Sequence, residues 1–141
     1  MWEKLIAYEK SNPLELQPAA LQERVRFTYE QALLCLNKYA DVWIEIVEYN
    51  IENNFIKEAE EYYKKSILLN PSSSLLHFSY CFFLEERNLV DRAEEVYNLL
   101  LQNNPSTLAY IQKMRFKKRT KVINLFHFFV FFFYIFLFIF I

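Results

Sequence analysis

The sequence predicts an all-α protein: an α-solenoid of antiparallel helix pairs, about three and a half repeats long, followed by a C-terminal hydrophobic helix. Three observations predict it. The 141 residues include no glycine, which argues against β-hairpins, whose tight turns favour residues that tolerate positive φ. Apolar residues recur with the 3.6-residue period of a helix face. The segments "FTYEQALLCL", "YYKKSILLNP" and "VYNLLLQNNP" align so that Tyr29, Tyr63 and Tyr97 are evenly spaced, and Pro71 and Pro105 stand the same interval apart. That interval is one repeat. A period in the thirties with two helices per unit is the signature of a helical solenoid.

Helices are expected over about 2–10, 19–37, 41–53, 55–69, 73–87, 90–103 and 106–120. The second helix of each pair carries a clear stripe: Val25, Thr28, Tyr29, Ala32, Leu33, then Ala59, Tyr62, Tyr63, Ser66, Ile67, then Ala93, Val96, Tyr97, Leu100, Leu101. Ala59 and Ala93 leave room for a neighbouring helix, and the tyrosine rings fill the wider gap beside them. The first helix of each pair opens on a bulky aromatic, Trp2, Trp43, Phe78 or Tyr110. Six residues on stands Tyr8, Tyr49, Leu84 or Phe116, and the next position reads Glu9, Asn50, Glu85 and Lys117. These aromatic and small residues form the expected inter-helix core. Asp41, Ser72 and Ser106 are the expected helix N-caps. The stretch "SNPLELQP", broken by Pro13 and Pro18, is expected to be a longer first loop.

No chemistry-bearing motif competes with this reading. Without glycine there is neither a P-loop nor a dinucleotide fingerprint. Cys35 and Cys81 lie far apart and lack metal-ligand spacing, so both are expected as plain thiols in helices. His77 sits among apolar neighbours, as packed histidines do. Glu60–Lys64 and Glu61–Lys65 are ordinary i,i+4 surface pairs. No nucleophile–base set stands out, so no enzyme, cofactor or metal is expected. The strict helical spacing of the tyrosines and tryptophans marks core packing ahead of a base-stacking platform.

Charge is unevenly placed. Lys113, Arg115, Lys117, Lys118, Arg119 and Lys121 put six bases in nine residues, and ten bases face seventeen acids elsewhere. The run is a candidate contact patch for RNA phosphates or anionic lipid headgroups, or a solvated helix end that complements the helix dipole. After it comes the stretch 122–141, with nine Phe and only Asn124 and His127 distinctly polar. As a helix it would span about 30 Å, a bilayer core, with the basic run on the cytosolic side. The same stretch lacks the small residues that membrane helices use to pack, and Phe, Ile, Leu and Tyr are what T-rich DNA encodes. Two readings stay open: a tail anchor, or translated non-coding sequence in a truncated gene model.

"WEKLIAYE" followed by "VRFTYEQAL" resembles the HAT (half-a-tetratricopeptide) repeat, with Trp2, Tyr8, Glu9, Arg26, Tyr29, Glu30 and Ala32 on the motif. Later units depart from it: Glu60 and Glu94 stand where the motif has Arg, and Asn50 where it has Glu. "WEKLIAYEKSNPL", "YEQALLCLNKYADVWIE" and "LAYIQKMRFKKR" resemble the suppressor of forked family, that of the large subunit of cleavage stimulation factor, over about Trp2 to Arg119. The resemblance implies a nuclear, non-catalytic scaffold of pre-mRNA 3′-end cleavage and polyadenylation. Such a protein holds other cleavage-factor subunits, dimerises through its HAT array and meets RNA only indirectly. It also implies that the chain is an interior slice of a longer protein. Two alternatives remain: another HAT-repeat RNA-processing assembly factor, or a tail-anchored membrane adaptor with its N-terminal part cytosolic.

Overall fold

The computed structural model describes residues 1–121, and among these it is all helix and turn, with no strand. The helices are α1 (Trp2–Lys10), α2 (Pro18–Leu36), α3 (Ala40–Glu52), α4 (Ile56–Leu69), α5 (Ser74–Glu86) and α6 (Val90–Asn103), then α7 over 107–121. Each start and end through α6, and the start of α7, falls within one residue of expectation. The expected hydrophobic helix over 122–141 lies outside the described residues.

The chain forms two compact units, Met1–Tyr80 and Cys81 onward, and the division falls within α5. In the first unit α1 packs on α2, α2 on α3 and α3 on α4. The stripes expected on α2 and α4 are buried in full, and on α6 Ala93, Val96, Tyr97 and Leu100 are buried with Leu101 half-buried.

A chain without glycine needs another way to end its helices. Asn54 and Asn88, one repeat apart, take left-handed backbone, φ 64° and 61°. After α3 the Asn54 N–H bonds to the Ile51 carbonyl (3.0 Å) and the Phe55 N–H to that of Asn50 (2.8 Å). After α5 the Asn88 N–H bonds to Glu85 and the Leu89 N–H to Leu84, both 3.0 Å. Each is a Schellman ending, with asparagine where glycine is usual. Three residues, 53–55 or 87–89, therefore turn one helix directly into the next. The return turns repeat as well. Asn70 and Asn104 bond back to Ser66 (2.9 Å) and Leu100 (2.7 Å), and the proline that follows each cannot extend the helix. The first connector, 11–17, is longer, as expected. Asn12 and Glu15 both take φ 51° there, and the Asn12 side chain bonds both the N–H and the carbonyl of Leu16. Pro18 opens α2, where its missing N–H costs no helix bond.

Two expected caps are corrected. Asp41 is the second residue of α3, whose cap position is Tyr39, so its charge faces the helix dipole instead. The α5 helix opens at Ser74, which leaves Ser72 in the preceding turn. Ser106 does cap α7: the Ala109 N–H donates to its Oγ, 3.2 Å.

The first-helix core register is also corrected. Tyr8 and Tyr110, expected in the core, are about half exposed, and Trp2, Tyr49 and Phe78 are half-buried. Residues six apart on a helix point about 120° apart, whereas residues seven apart share a face. The inward pairs are Trp2 with Glu9, Trp43 with Asn50, His77 with Leu84, and Ala109 with Phe116. His77 thus occupies the position that Trp43 fills in α3. It is buried, and its Nδ1 is 2.7 Å from the Ser73 carbonyl, which assigns Nδ1 as the donor. Burial holds its pKa below the usual histidine value.

Candidate interaction surface

The three repeated tyrosines are core, and each hydroxyl finds a partner. Tyr29 donates to Glu45 Oε1 at 2.8 Å. The Lys10 ammonium reaches the same oxygen at 3.3 Å and lies over two rings, 5.2 Å from that of Tyr29 and 5.3 Å from that of Tyr49. Tyr63 stacks on Tyr80, centroids 5.1 Å apart, with its hydroxyl 2.8 Å from Ser79 Oγ. Tyr97 packs on Phe116, 5.1 Å between centroids, and donates to Glu85 Oε1 at 3.4 Å. Burial raises the pKa of Tyr29 and Tyr97, with neighbouring carboxylates adding to it, so both phenols stay neutral. Neutral, packed hydroxyls of this kind fix helix positions. They are not poised as acids or bases.

The charged residues are largely spent in the same way. The Arg24 guanidinium grips Glu9 with both prongs, Nη2 to Oε1 at 3.0 Å and Nε to Oε2, and holds that carboxyl below its usual range. Arg26, the arginine on the motif, lies 4.0 Å from Glu30 along α2. The two arginines are two residues apart, so they face different sides of the helix. Asn50, where the motif has Glu, is buried and closes on its own helix at the Ile46 carbonyl, 2.7 Å.

Half of the basic patch is committed within its unit. Arg119 forks onto Glu85 with contacts of 2.8 to 3.1 Å, Lys117 pairs with Glu94 at 2.8 Å, and Lys113 donates to Asn98. Arg115, Lys118 and Lys121 are exposed. Of the two thiols, Cys35 is exposed and Cys81 is buried 3.7 Å from the Ala93 carbonyl, and burial raises the Cys81 pKa. Among the described residues no group of three or more His, Cys, Asp or Glu could hold a metal ion. Among them, too, no helix is long and apolar enough to cross a membrane.

Sequence reasoning missed one feature, a groove between α2 and α4. It has Trp43 and Leu33 at its base, Leu34 and Leu69 on its walls, and a volume of about 270 Å³. Its signal in the sequence is slight: Leu34 and Leu69, which line it, are apolar residues outside their helices' core stripes, and both are exposed.

The comparison with known families decides where this helical chain belongs. The suppressor of forked protein model matches residues 1–129. The chain belongs to the suppressor of forked family. Suppressor of forked relatives include the Arabidopsis thaliana cleavage stimulation factor subunit 77, 29% identical over 85% of this chain and 16% of that one. The Neurospora crassa mRNA 3′-end-processing protein rna-14 is 30% identical over 67% of this chain and 10% of its own length. The Candida glabrata RNA14 protein is 35% identical over 69% and 14%. The chain thus spans between a tenth and a sixth of the length of these relatives. The match runs to residue 129, beyond the expected limit near Arg119, so the family pattern takes in the first eight residues of the apolar stretch.

Proposed function

We propose that this chain is a non-catalytic protein–protein scaffold segment of the pre-mRNA 3′-end cleavage and polyadenylation machinery. Residues 1–121 are a short HAT-type α-solenoid, and 122–141 are a Phe-rich apolar stretch of sequence. The observation that carries this is the suppressor of forked match over 1–129, whose curated relatives are named for 3′-end processing. The side-chain chemistry agrees with it. The buried Glu9 and the repeated tyrosines hold helix to helix through their side-chain bonds. Its partners would be other cleavage-factor subunits, met in the nucleus, with RNA held by those subunits. A second copy joined through the helical array is part of the same reading. The tagged full chain, expressed in nuclei, should co-precipitate other cleavage and polyadenylation subunits after nuclease treatment. Recovery of none, with the chain folded by circular dichroism, would overturn the assignment.

A further inference from the structure

The α2–α4 groove is built for something that the described residues do not supply. Its base is rigid. Trp43 is buried and its Nε1 donates to the Asn37 carbonyl at 2.9 Å. The Asn70 amide reaches the same carbonyl at 2.8 Å. Its walls are open: Leu34 is 72% exposed and Leu69 46%, and Leu68 beside the latter is 79% exposed. Leu34 and Leu69 both line the groove and both stay exposed, so they leave an apolar surface open to an occupant. At about 270 Å³ the cavity falls below the roughly 300–1,000 Å³ of small-molecule pockets and suits one or two apolar side chains.

The rim sets what flanks those side chains. Its one lining carboxylate, Glu30, already accepts the Tyr62 hydroxyl at 2.9 Å and lies 4.0 Å from Arg26. Lys65 lines the groove beside Tyr62, its ammonium 5.5 Å from that ring's centroid, and at the Leu69 end Lys38, just beyond the lining, donates to the Leu69 carbonyl at 2.8 Å. An ammonium carries three donors, so each lysine can take a further acceptor. Glu61, one turn before Lys65 on α4, is the acid nearest to it in sequence.

We infer that this groove docks a partner protein through a short segment with an apolar side chain, leucine-like in size, flanked by carboxylates that meet Lys38 and Lys65. The inference rests on the scaffold reading for its choice of a protein occupant. A buried apolar anchor with a charged rim is also the arrangement in which a few residues carry most of the binding energy.

The exposed Cys35, next to Leu34, gives a direct readout, since Cys81 is buried. The full chain, labelled at Cys35 with an environment-sensitive dye, is titrated with two short synthetic peptides of equal length. Both have a central Leu-Leu; one is flanked by Asp and Glu, the other by Lys. The acidic peptide should give a saturable emission change, weakened at least tenfold by L34E and by K65E, and the Lys-flanked peptide should give none. The solvent exposure of Leu34 means L34E should fold as the parent does, checked by circular dichroism. No saturable change, equal binding of both peptides, or indifference to L34E would overturn the inference. So would a dye signal that follows protein concentration alone, which would mark a second copy as the occupant. Failure here with co-precipitation of cleavage-factor subunits intact would remove the groove and leave the scaffold reading standing.

Discussion

Tyr29 in the first unit and Tyr97 in the second do the same job with opposite wiring. Each ends in a tyrosine–carboxylate–cation cluster. Around Tyr29 the cation, Lys10, comes from the helix before it and the acid, Glu45, from the helix after it. Around Tyr97 the acid, Glu85, comes from the helix before and the cation, Arg119, from the helix after. Lys10 and Glu85 follow directly on the inward positions Glu9 and Leu84, so they are equivalent sites carrying opposite charge. What repeats is the ring and the helix packing; the sign of the charge at a given position is free to change once its partner changes too. The two clusters also differ in grip. Lys10 is a point charge shared between an oxygen and two ring faces, whereas Arg119 is a planar fork matched to both oxygens of Glu85.

The largest way to break the comparison is to remove the ring. Tyr29→Ala and Tyr97→Ala should each cost about 3–5 kcal/mol, the range for deleting a buried aromatic, read as a lower denaturant midpoint of unfolding. Equal losses would confirm that the rings are equivalent. The next largest tests the grip. Arg119→Lys should lose on the order of 1–2 kcal/mol because a fork becomes a single contact, while Lys10→Arg should change stability little. If Arg119→Lys proves neutral, the bidentate geometry contributes nothing. The combined swap of Lys10→Glu with Glu45→Lys should recover much of the stability that either single change loses, as a double-mutant cycle would show.

Smaller effects lie in the turns. Asn54→Ala and Asn88→Ala should each cost roughly 1 kcal/mol, because alanine resists left-handed backbone, and the glycine replacements should be neutral or stabilising. The smallest is the pH dependence that His77 contributes. Its folded pKa is lowered by burial, so below the ordinary histidine value of about 6.5 the unfolded chain binds a proton that the folded chain does not. Stability is therefore complete above that pH and falls as pH drops through the folded value. His77→Leu should flatten this slope in pH-dependent thermal melts, and an unchanged slope would assign it to other groups.

The helices were legible because their signals are local: a 3.6-residue stripe, a proline past the ends of α4 and α6, a serine at Ser106. The core of α2, α4 and α6 was legible for the same reason. What failed was angular. Pairing aromatics six residues apart placed Tyr8 and Tyr110 inside, although each is next to the true inward residue, Glu9 or Ala109. Polar or small residues hide an inward position from a reading that searches for bulk. Arg26 is the arginine on the motif, yet Arg24 is the one that reaches Glu9, because helix rotation settles that reach and a motif is blind to it. The asparagine turns are hard to read because glycine is the usual mark of a left-handed helix end, and asparagine is common in any connector. The groove is a property of two helices side by side, and no single stripe announces it.

Among the described residues, the side-chain bonds named above that tie helix to helix span about one repeat of sequence or less, as from Lys10 to Glu45. That has a kinetic meaning. Topologies rich in near-sequence contacts fold fast, because little loop entropy is lost before contacts form. A chain leaving the ribosome could close the Tyr29 cluster once Glu45 has emerged, and the Tyr97 cluster once Arg119 has, each without waiting for the rest. Synthesis would then proceed with the N-terminal helices already paired, and core positions would wait unburied only in the newest stretch, about one repeat long.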